Sequence, residues 1–531
     1  MKTIRDPSQN RLFDPFEGVI GQTGRKHIEN GWQSMFRDVL LDQMPVDRIG
    51  KDLCDSNGRP TFELHAMIGL LLIREFHGWT VPQTHEAILF RADIQYALNL
   101  EPGVEVTQRT IERYLQRMQN DEQISEELFT KVTDTLLHSL EVKVKKQRLD
   151  STHILSDMSN MGRARMIGIA LKRFFAKVEK EDAKLLDSLP EELIARYRKA
   201  SDSQIFGNLR KAEARRLALQ QAAEDLAAAL KSFASIEPIC HWDRFQQLQT
   251  IFSQQCEVRE EFIEVRKQTG GKVIQNISDP DATFCGNKGP GYQAQICETH
   301  NENGQPNFIV SASVETAAQS DADAVEPLLE DLKKRDLLPE ELLADTGYGS
   351  HRNVESAKNE EVKLTAPVPG GKKFDPDEVG YDRFELDKDN QVVSCPAGHA
   401  PKATSFNKNT QDVWARMDVE QCVCCPLLEH CKVQRTKSTD LPNGRVQFHI
   451  DAPTAARRRR HEQTTEFRDA YRWRSGIEAT NSQLKRMMGL GRLRVRGVKA
   501  VKLALMLKFA GWNLLRATAL RAAQAKTLVT A

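Results

Sequence analysis

The chain has 531 residues, a formal net charge of +1, 28% charged residues and 40% hydrophobic residues. This length exceeds one ordinary hydrophobic core, so we expect two to four domains or large insertions. No secretory signal opens the sequence, and the most apolar late stretch, residues 500–515, is interrupted by Lys502 and Lys508. These features argue against a secreted or membrane-spanning protein and favour a cytoplasmic globular one.

The first 140 residues predict helices behind an irregular start. Residues 1–60 contain Pro7, Pro15 and several glycines, which favours an arm that packs on the rest of the protein. Residues 61–140 show helical periodicity broken by short turns, and Thr107 is placed to cap a basic helix. This pattern is typical of a helix-turn-helix-like DNA-binding domain. A helical domain that only packs on the core explains it equally well.

The middle of the chain predicts a β-sheet with two insertions. The strand-like segments are residues 142–154, 291–299, 307–314, 341–345 and 363–369. A polar turn at 301–304 makes a hairpin of the second and third of these. A long helical region precedes the hairpin, a Gly-, Pro- and Cys-containing stretch follows the last strand, and helices close the chain. This order predicts an α/β core with a mixed sheet and a helix crossover.

We therefore divide the chain into seven segments, of which three build one core. They are an N-terminal arm, a helical DNA-binding domain, a first core part, a helical insertion, a second core part, a Cys-rich insertion and the helices that complete the core. Their residues are 1–60, 61–140, 141–160, 161–266, 267–369, 370–450 and 451–531.

One stretch near the C-terminus carries polar and charged residues at helical spacing. Tyr471, Arg474, Glu478 and Lys485 lie at offsets of 0, 3, 7 and 14, which on one helix span a sector of roughly 60°. Residues 457–499 contain 13 Lys/Arg against 4 Asp/Glu, a local charge of +9. A carboxylate bracketed by cations suits a metal-dependent enzyme acting on a polyanion such as DNA. A solvated, salt-bridged helix surface would give the same pattern.

Three carboxylates come from separate parts of the predicted core. Asp150 and Asp345 lie where strands are expected to end, and Glu478 lies on the later helix. A cluster of three carboxylates is too repulsive to remain without cations, and hard oxygen ligands favour Mg²⁺ or Mn²⁺. Two such ions, about 3.5–4 Å apart, can support an in-line displacement at phosphorus.

These residues give the chain a resemblance to the DDE transposases of bacterial insertion sequences, which have an RNase H-like core. The resemblance is carried by Leu-Asp-Ser-Thr-His at 149–153, Ala-Asp-Thr-Gly-Tyr at 344–348, and a match at every spacing to the Y-(2)-R-(3)-E-(6)-K signature. It implies that Asp150, Asp345 and Glu478 are the metal-binding catalytic triad. It implies equally that Tyr471, Arg474 and Lys485 hold the phosphates and end bases of the element terminus.

Several neighbouring residues have plainer interpretations. Asp157, Asp279 and Asp281 could compete for a metal, but turn or capping positions explain them better. His153 beside a strand is more often structural than a proton shuttle. Trp473 lies off the face of the signature residues, so we interpret it as a packing residue.

Five of the ten cysteines fall between Cys395 and Cys431. Cys395, Cys422, Cys425 and Cys431 together predict a closed structural Zn²⁺ site in a segment with little apolar content. Their rivals as ligands are Cys424, His399 and His430. Four free, reduced thiols are the alternative.

The function expected from this reading is a transposase that binds the terminal inverted repeats of its element. It would cut at the ends and join the 3′-hydroxyls to target DNA with the help of Mg²⁺ or Mn²⁺. We expect double-stranded DNA as partner, a homodimer or larger synaptic complex, and a place on the nucleoid. The alternatives are a metal-dependent RNase H-like DNA nuclease and a domesticated DNA-binding protein without catalysis.

Overall fold

The computed structural model describes residues 1–7, 13–158, 161–198, 201, 204–259, 262–301, 305–370, 374–438 and 440–530, the last five of them by backbone alone. Eight helices precede the first strand. They are α1 Gln22–Glu29, α2 Trp32–Met35, α3 Val46–Gly50, α4 Leu64–His77, α5 Val81–Phe90, α6 Ala92–Ala97, α7 Gln108–Asn120 and α8 Ile124–Ser139. The start of the chain is thus not the irregular arm predicted from its prolines and glycines, because three helices lie within residues 22–50.

A curled mixed sheet forms the centre of the molecule. Its strands are β1 Lys146–Ile154, β4 Thr283–Cys285, β5 Gly289–Thr299, β6 Ile309–Thr316, β7 Glu341–Ala344 and β8 Lys363–Thr365. The spatial order is β6-β5-β1-β7-β8, with β4 paired to one end of β5. β5 runs antiparallel to β1 and β6, whereas β7 is parallel to β1 and to β8. This is the predicted mixed α/β, RNase H-like core.

The connection from β1 to β4 is the first insertion. It contains α9 Arg163–Asp182, α10 Glu191–Arg198, α11 Ala212–Phe233 and α12 Asp243–Gln255, followed by the hairpin strands β2 Cys256–Arg259 and β3 Phe262–Val265. The helices bury their own apolar core. The prediction of a wholly helical segment over 161–266 is wrong at its end, because the alternating Val258, Ile263 and Val265 favour extended backbone.

The second insertion is a small β module. The core continues through α13 Val325–Lys334 and α14 His351–Asn359. The module follows β8 with β9 Glu385–Leu386, β10 Val392–Ser394, β11 Ala403–Asn407, β12 Asp412–Arg416, α15 Val419–Val423 and β13 Arg445–His449. Its own apolar cluster is built around Val413, Ala415 and Phe448. Residues 302–304 of the predicted hairpin turn lie outside the described residues.

Four helices close the chain: α16 Ala452–His461, α17 Thr465–Tyr471, α18 Gly476–Met487 and α19 Val498–Thr530. α19 packs against α4, α8 and β6, and one apolar cluster joins the N-terminal helices, the sheet and α19. All residues of α4 except Arg74 and His77 are buried. The N-terminal helices are therefore part of the central core. Across the described residues, the structure has no helix with both the length and the apolar character needed to cross a membrane.

Candidate active site

Strand register brings the two aspartates together. β1 and β7 are parallel, and Leu149 of β1 pairs with Ala344 at the end of β7. The next residues along the two chains are Asp150 and Asp345, so the carboxylates lie side by side. Asp150 is not at the end of its strand, as the sequence suggested, but in the middle of β1. The strand that ends beside Asp150 is its neighbour β7, whose last residue is Ala344.

Each aspartate is fixed by a local contact. Asp345 begins a short 3₁₀ turn and accepts a hydrogen bond from the backbone N–H of Gly347 at 2.8 Å. The buried Asp150 accepts one from Nδ2 of Asn481 at 3.0 Å. Burial raises the pKa of Asp150 above its usual value; the Arg474 guanidinium opposes this, and the charges of Asp345 and Glu478 add to it.

Arg474 lies between all three predicted metal ligands. Its Nη2 is 3.2 Å from Oδ1 of Asp150 and 3.8 Å from Oδ2 of Asp345, and its Nη1 donates to Oε1 of Glu478. Burial works against the charged guanidinium, but the surrounding carboxylates outweigh it and raise the pKa of Arg474. One cation faces three anions here, so the cluster still favours binding of further positive charge.

The three carboxylates differ in exposure. The Glu478 side chain is 60% exposed and that of Asp345 36%, whereas Asp150 is buried. The site thus opens to solvent on the side of α18 and closes on the sheet. Exposure therefore increases from Asp150 on the sheet through Asp345 to Glu478 on α18.

Tyr471 lies within range of the three carboxylate charges, and Lys485 lies seven residues after Glu478 on α18. Burial raises the pKa of Tyr471, and the charges of Asp345, Asp150 and Glu478 act on it in the same direction. Lys485 is exposed, and its charge, together with that of Lys288, helps to lower the pKa of the half-buried His153.

Residues 471–485 do not form the single straight helix that the spacing predicted. α17 ends at Tyr471, a 3₁₀ turn covers Arg472–Ser475, and α18 begins at Gly476. Because a 3₁₀ turn has about three residues per turn, Tyr471 is rotated relative to an ideal α-helix. The pair Arg474 and Glu478 nevertheless meets at the expected i,i+4 distance. The Trp473 ring, predicted to pack, remains 42% exposed and contacts His300 at a centroid distance of 5.2 Å.

Sequence analysis missed several residues of this site. Asn481 contacts Asp150, Lys288 Nζ lies 3.0 Å from Oγ of Ser151, and Arg148 donates to the carbonyl of Trp473 at 2.9 Å. Arg148 could have been noticed, because it lies two residues before Asp150 and so projects from the same face of β1. Lys288 lies in the turn between β4 and β5, and its contact with Ser151 depends on the pairing of strands that are far apart in the sequence.

Several arginines of residues 457–499 make hydrogen bonds or ion pairs within the protein. Arg458 donates to the carbonyls of Gly349 and Ala366, and Arg460 pairs with Asp382. Arg496 pairs with Asp157. Asp281 accepts from the backbone N–H of Val498 at the start of α19, as a capping residue would. Asp279 is also occupied, accepting from the Tyr292 hydroxyl. The local charge therefore overstates the free basic surface.

Four of the five cysteines of the β module, Cys395, Cys422, Cys425 and Cys431, line one small cavity, and His399 lines it as well. Burial, and then the neighbouring thiols Cys431, Cys395 and Cys425, raises the pKa of Cys422 to about 11. A negative charge on any of these three thiols therefore disfavours ionisation of Cys422. Cys424 is exposed and does not line the cavity. His430 is also absent from the lining.

Three side chains that could bind a metal ion have ligand atoms within 4.8 Å of one another at one place in the described residues. They are Glu237, Cys240 and His241. Glu237 and His241 form an exposed i,i+4 ion pair far along the chain from the carboxylates. Neither the three carboxylates nor any three of the four module cysteines are as close as this. The carboxylates are spread around Arg474, and the thiols would have to draw together to bind one zinc ion.

Two comparisons with known proteins found a match and a third found none. Residues 394–518 match the family model described as "Transposase DDE domain", which is less than half of the chain. The match includes Tyr471, Arg474, Glu478, Lys485 and the β-module cysteines but neither aspartate. The cryo-EM structure of a piggyBac transposase synaptic complex with hairpin DNA is similar at 10% identity, covering 74% of each chain, with a TM-score of 0.22. No curated protein matches the chain.

Proposed function

We propose that this chain is a DDE transposase that binds the ends of a mobile element, cuts the DNA there and joins the freed 3′-hydroxyls to target DNA. The observation that carries the proposal is the meeting of Asp150, Asp345 and Glu478 around Arg474. Asp150 lies in β1, Asp345 directly follows β7 and Glu478 lies in α18. Asp150 and Arg474 are 324 positions apart in the chain. The match of residues 394–518 to the transposase DDE domain supports the same reading.

The donor set fits Mg²⁺ or Mn²⁺. Asp150, Asp345 and Glu478 offer only carboxylate oxygens, and the cation already held among them, the Arg474 guanidinium, shows that the pocket accepts positive charge. When bound, two such ions would activate the attacking water or 3′-hydroxyl and stabilise the leaving oxygen.

The residues around the carboxylates would hold the DNA. Lys288, which bonds to Ser151 next to Asp150, and Lys485 of α18 are the ammonium groups that we propose would meet a phosphodiester in the site. Arg474 would exchange part of its contact with the carboxylates for a phosphate oxygen. The Tyr471 hydroxyl is suited to an end base or a phosphate.

A second contact with DNA is proposed for α7 in the N-terminal helices. Thr107 accepts from the backbone N–H of Thr110 and caps this helix, as the sequence predicted. Arg109, Arg113 and Arg117 follow at intervals of four, so they share one side of the helix. With Arg59 they line a wide groove. A basic groove of this kind fits the phosphates of a duplex, which would provide binding to the terminal repeat.

We further propose that Cys395, Cys422, Cys425 and Cys431 bind one structural Zn²⁺ in the β module. The shared cavity supports this assignment. Because two element ends must be held together, we propose a homodimer or larger synaptic complex on double-stranded DNA at the nucleoid.

The test uses duplexes carrying the inverted repeats that flank the reading frame. Labelled ends are incubated with the protein and Mg²⁺ or Mn²⁺, and the cut and joined products are mapped. A transposase cuts at the repeat end and yields joined products. Cutting without joining and without dependence on the repeat would indicate the nuclease. Tight binding without any cut would indicate the domesticated DNA-binding protein.

A further inference from the structure

A buried ion pair lies directly beneath the proposed active site. Arg148 of β1 and Glu298 of β5 are partners in the antiparallel register, and Nη2 of Arg148 is 2.6 Å from Oε1 of Glu298. Their side chains are only 5% and 0% exposed. Because side chains two residues apart share a face of a strand, Arg148 projects from the same face as Asp150.

The pair contacts the segment that carries Arg474 and Glu478 at two points. Arg148 donates through Nη1 to the carbonyl oxygen of Trp473 at 2.9 Å, just before Arg474. The Thr480 hydroxyl donates to Oε2 of Glu298 at 2.8 Å, two residues after Glu478. The two functional side chains thus lie between two hydrogen bonds to the same buried pair.

Gly476 allows this close approach. A Cβ at position 476 would lie 1.8 Å from Nη1 of Arg148, far inside any permitted contact. The backbone there is in the ordinary helical region, with φ of −60°, so the glycine is required by space. The turn that leads into α18 rests on the guanidinium.

Stabilising the sheet does not explain the ion pair. β1 and β5 are already paired over eight successive residues, from Gln147 to Ile154. Burying two charges carries a desolvation cost that apolar side chains at the same positions would avoid. What apolar residues could not supply are the hydrogen bonds to Trp473 and Thr480.

We infer that Arg148, Glu298 and Thr480 form a positioning clamp that holds Arg474 and Glu478 over Asp150 and Asp345. This inference rests on the proposed function, because it assigns the clamp to the site where the metal and DNA would bind. The clamp residues do not touch the substrate. They fix the height and rotation of α18 relative to β1 and so determine how the third carboxylate meets the other two.

The test replaces the Thr480 hydroxyl. Thr480→Val keeps the shape of the side chain and removes the donor, whereas Thr480→Ser keeps the donor and serves as the matched control. Mn²⁺ affinity is measured by calorimetry without DNA, and end cleavage is measured separately. We expect Thr480→Val to weaken Mn²⁺ binding and slow cleavage by about 10-fold or more, as for other residues that orient metal ligands. Thr480→Ser should remain close to the unaltered protein.

Gly476→Ala tests the same clamp from the other side and remains informative if Thr480→Val does not fold. Its Cβ would displace the turn from Arg148 without removing any polar group. We expect the same loss of Mn²⁺ affinity, although alanine is the better helix former by about 1 kcal/mol.

The outcomes separate the clamp from the proposed function. If Thr480→Val and Gly476→Ala lower the thermal midpoint but bind Mn²⁺ as the unaltered protein does, the pair is structural and the inference is overturned. If the unaltered protein neither cuts element ends nor binds Mn²⁺ in a manner that requires Asp345, the proposed function fails and the inference with it.

Discussion

Nη2 of Arg474 lies 3.2 Å from Oδ1 of Asp150, although 324 residues separate them in the chain. The same guanidinium reaches Asp345 and Glu478, so in the absence of metal it is the counter-ion of the whole carboxylate cluster. A cation that occupies this position must share it with, or yield it to, any divalent ion that binds. We therefore predict two measurable roles for Arg474, one in the protein without metal and one with DNA.

Arg474→Ala should destabilise the metal-free protein and make its stability depend on Mn²⁺. We expect a loss of about 1–3 kcal/mol, less than for a fully buried pair because Glu478 is largely exposed. Thermal unfolding with and without Mn²⁺ measures this, and added Mn²⁺ should recover more stability in the variant than in the unaltered protein. Arg472→Ala is the control, since Arg472 is exposed and contacts Asp469 and the Trp473 ring instead of the three carboxylates. Equal Mn²⁺ effects in both variants would contradict the counter-ion role.

The same variant should bind terminal DNA more weakly. Loss of one phosphate contact should reduce the slope of log affinity against log salt by about one. Binding is measured at several salt concentrations with metal present. An unchanged slope would mean that Arg474 serves the carboxylates alone.

Asp345→Asn should abolish cleavage of element ends and leave DNA binding nearly intact, because the amide removes a negative charge needed for metal and not a contact needed for DNA. Gel-based cleavage and binding assays in Mg²⁺ measure the two effects. Asp157→Asn is the matched control, since Asp157 is ion-paired with Arg496. Full cleavage by Asp345→Asn would remove this residue from the active site.

Zinc content tests the β module. We expect about one zinc per chain by elemental analysis. Cys431→Ser should lose it and the module should unfold, as should the unaltered protein with a strong chelator. Cys424→Ser should keep its zinc, because Cys424 is exposed and outside the cavity. Zinc retained by Cys431→Ser would point to His399 as a replacement ligand.

The buried Lys508 of α19 predicts a dependence of stability on alkaline pH. Burial lowers its pKa from the usual 10.5, while Glu75, whose carbonyl oxygen accepts from Nζ at 2.9 Å, opposes the shift. The unfolded chain therefore binds more protons between the lowered pKa and 10.5, and the contribution of Lys508 to stability rises with pH through that window. Lys508→Met lacks this contribution.

Thermal midpoints of the two proteins between pH 7 and pH 10 measure the effect. The midpoint of the unaltered protein should rise relative to that of Lys508→Met as the pH increases. Lys502→Met, on the same helix but partly exposed and paired with Glu126, should show no such trend. A constant difference between the unaltered protein and Lys508→Met would contradict the assignment.

Residues of the candidate site could be predicted because they lie at regular intervals or within clear strand patterns in the sequence. Arg474 and Glu478 meet at i,i+4, and the strand patterns around Asp150 and Asp345 were strong enough to find both. The register between β1 and β7 could not be predicted, since paired residues such as Leu149 and Ala344 are 195 positions apart in the chain. Asp150 was expected at a strand end but lies in the middle of β1, because β1 continues in its pairing with β5 as far as Ile154.

The 3₁₀ turn after Tyr471 was missed for a related reason. Residues 472–475 are acceptable in an α-helix, and the contact made within the tighter turn, from Arg148 on the sheet to the Trp473 carbonyl, is not visible in the sequence. The missed contacts of Asn481 and Thr480 also face partners on β1 and β5. Periodicity reveals that such residues are internal but not which charge lies opposite them.

The fit between α19 and the N-terminal helices has a consequence for biosynthesis. Phe76 of α4 lies against Gly511, where a Cβ would come within 2.9 Å, and Asn513 bonds to Thr133 of α8. During translation the first helices leave the ribosome hundreds of residues before their packing partner exists. The apolar faces of α4 and α8 can therefore be covered only after residues 498–520 of α19 have emerged. A nascent or truncated chain would leave those faces exposed.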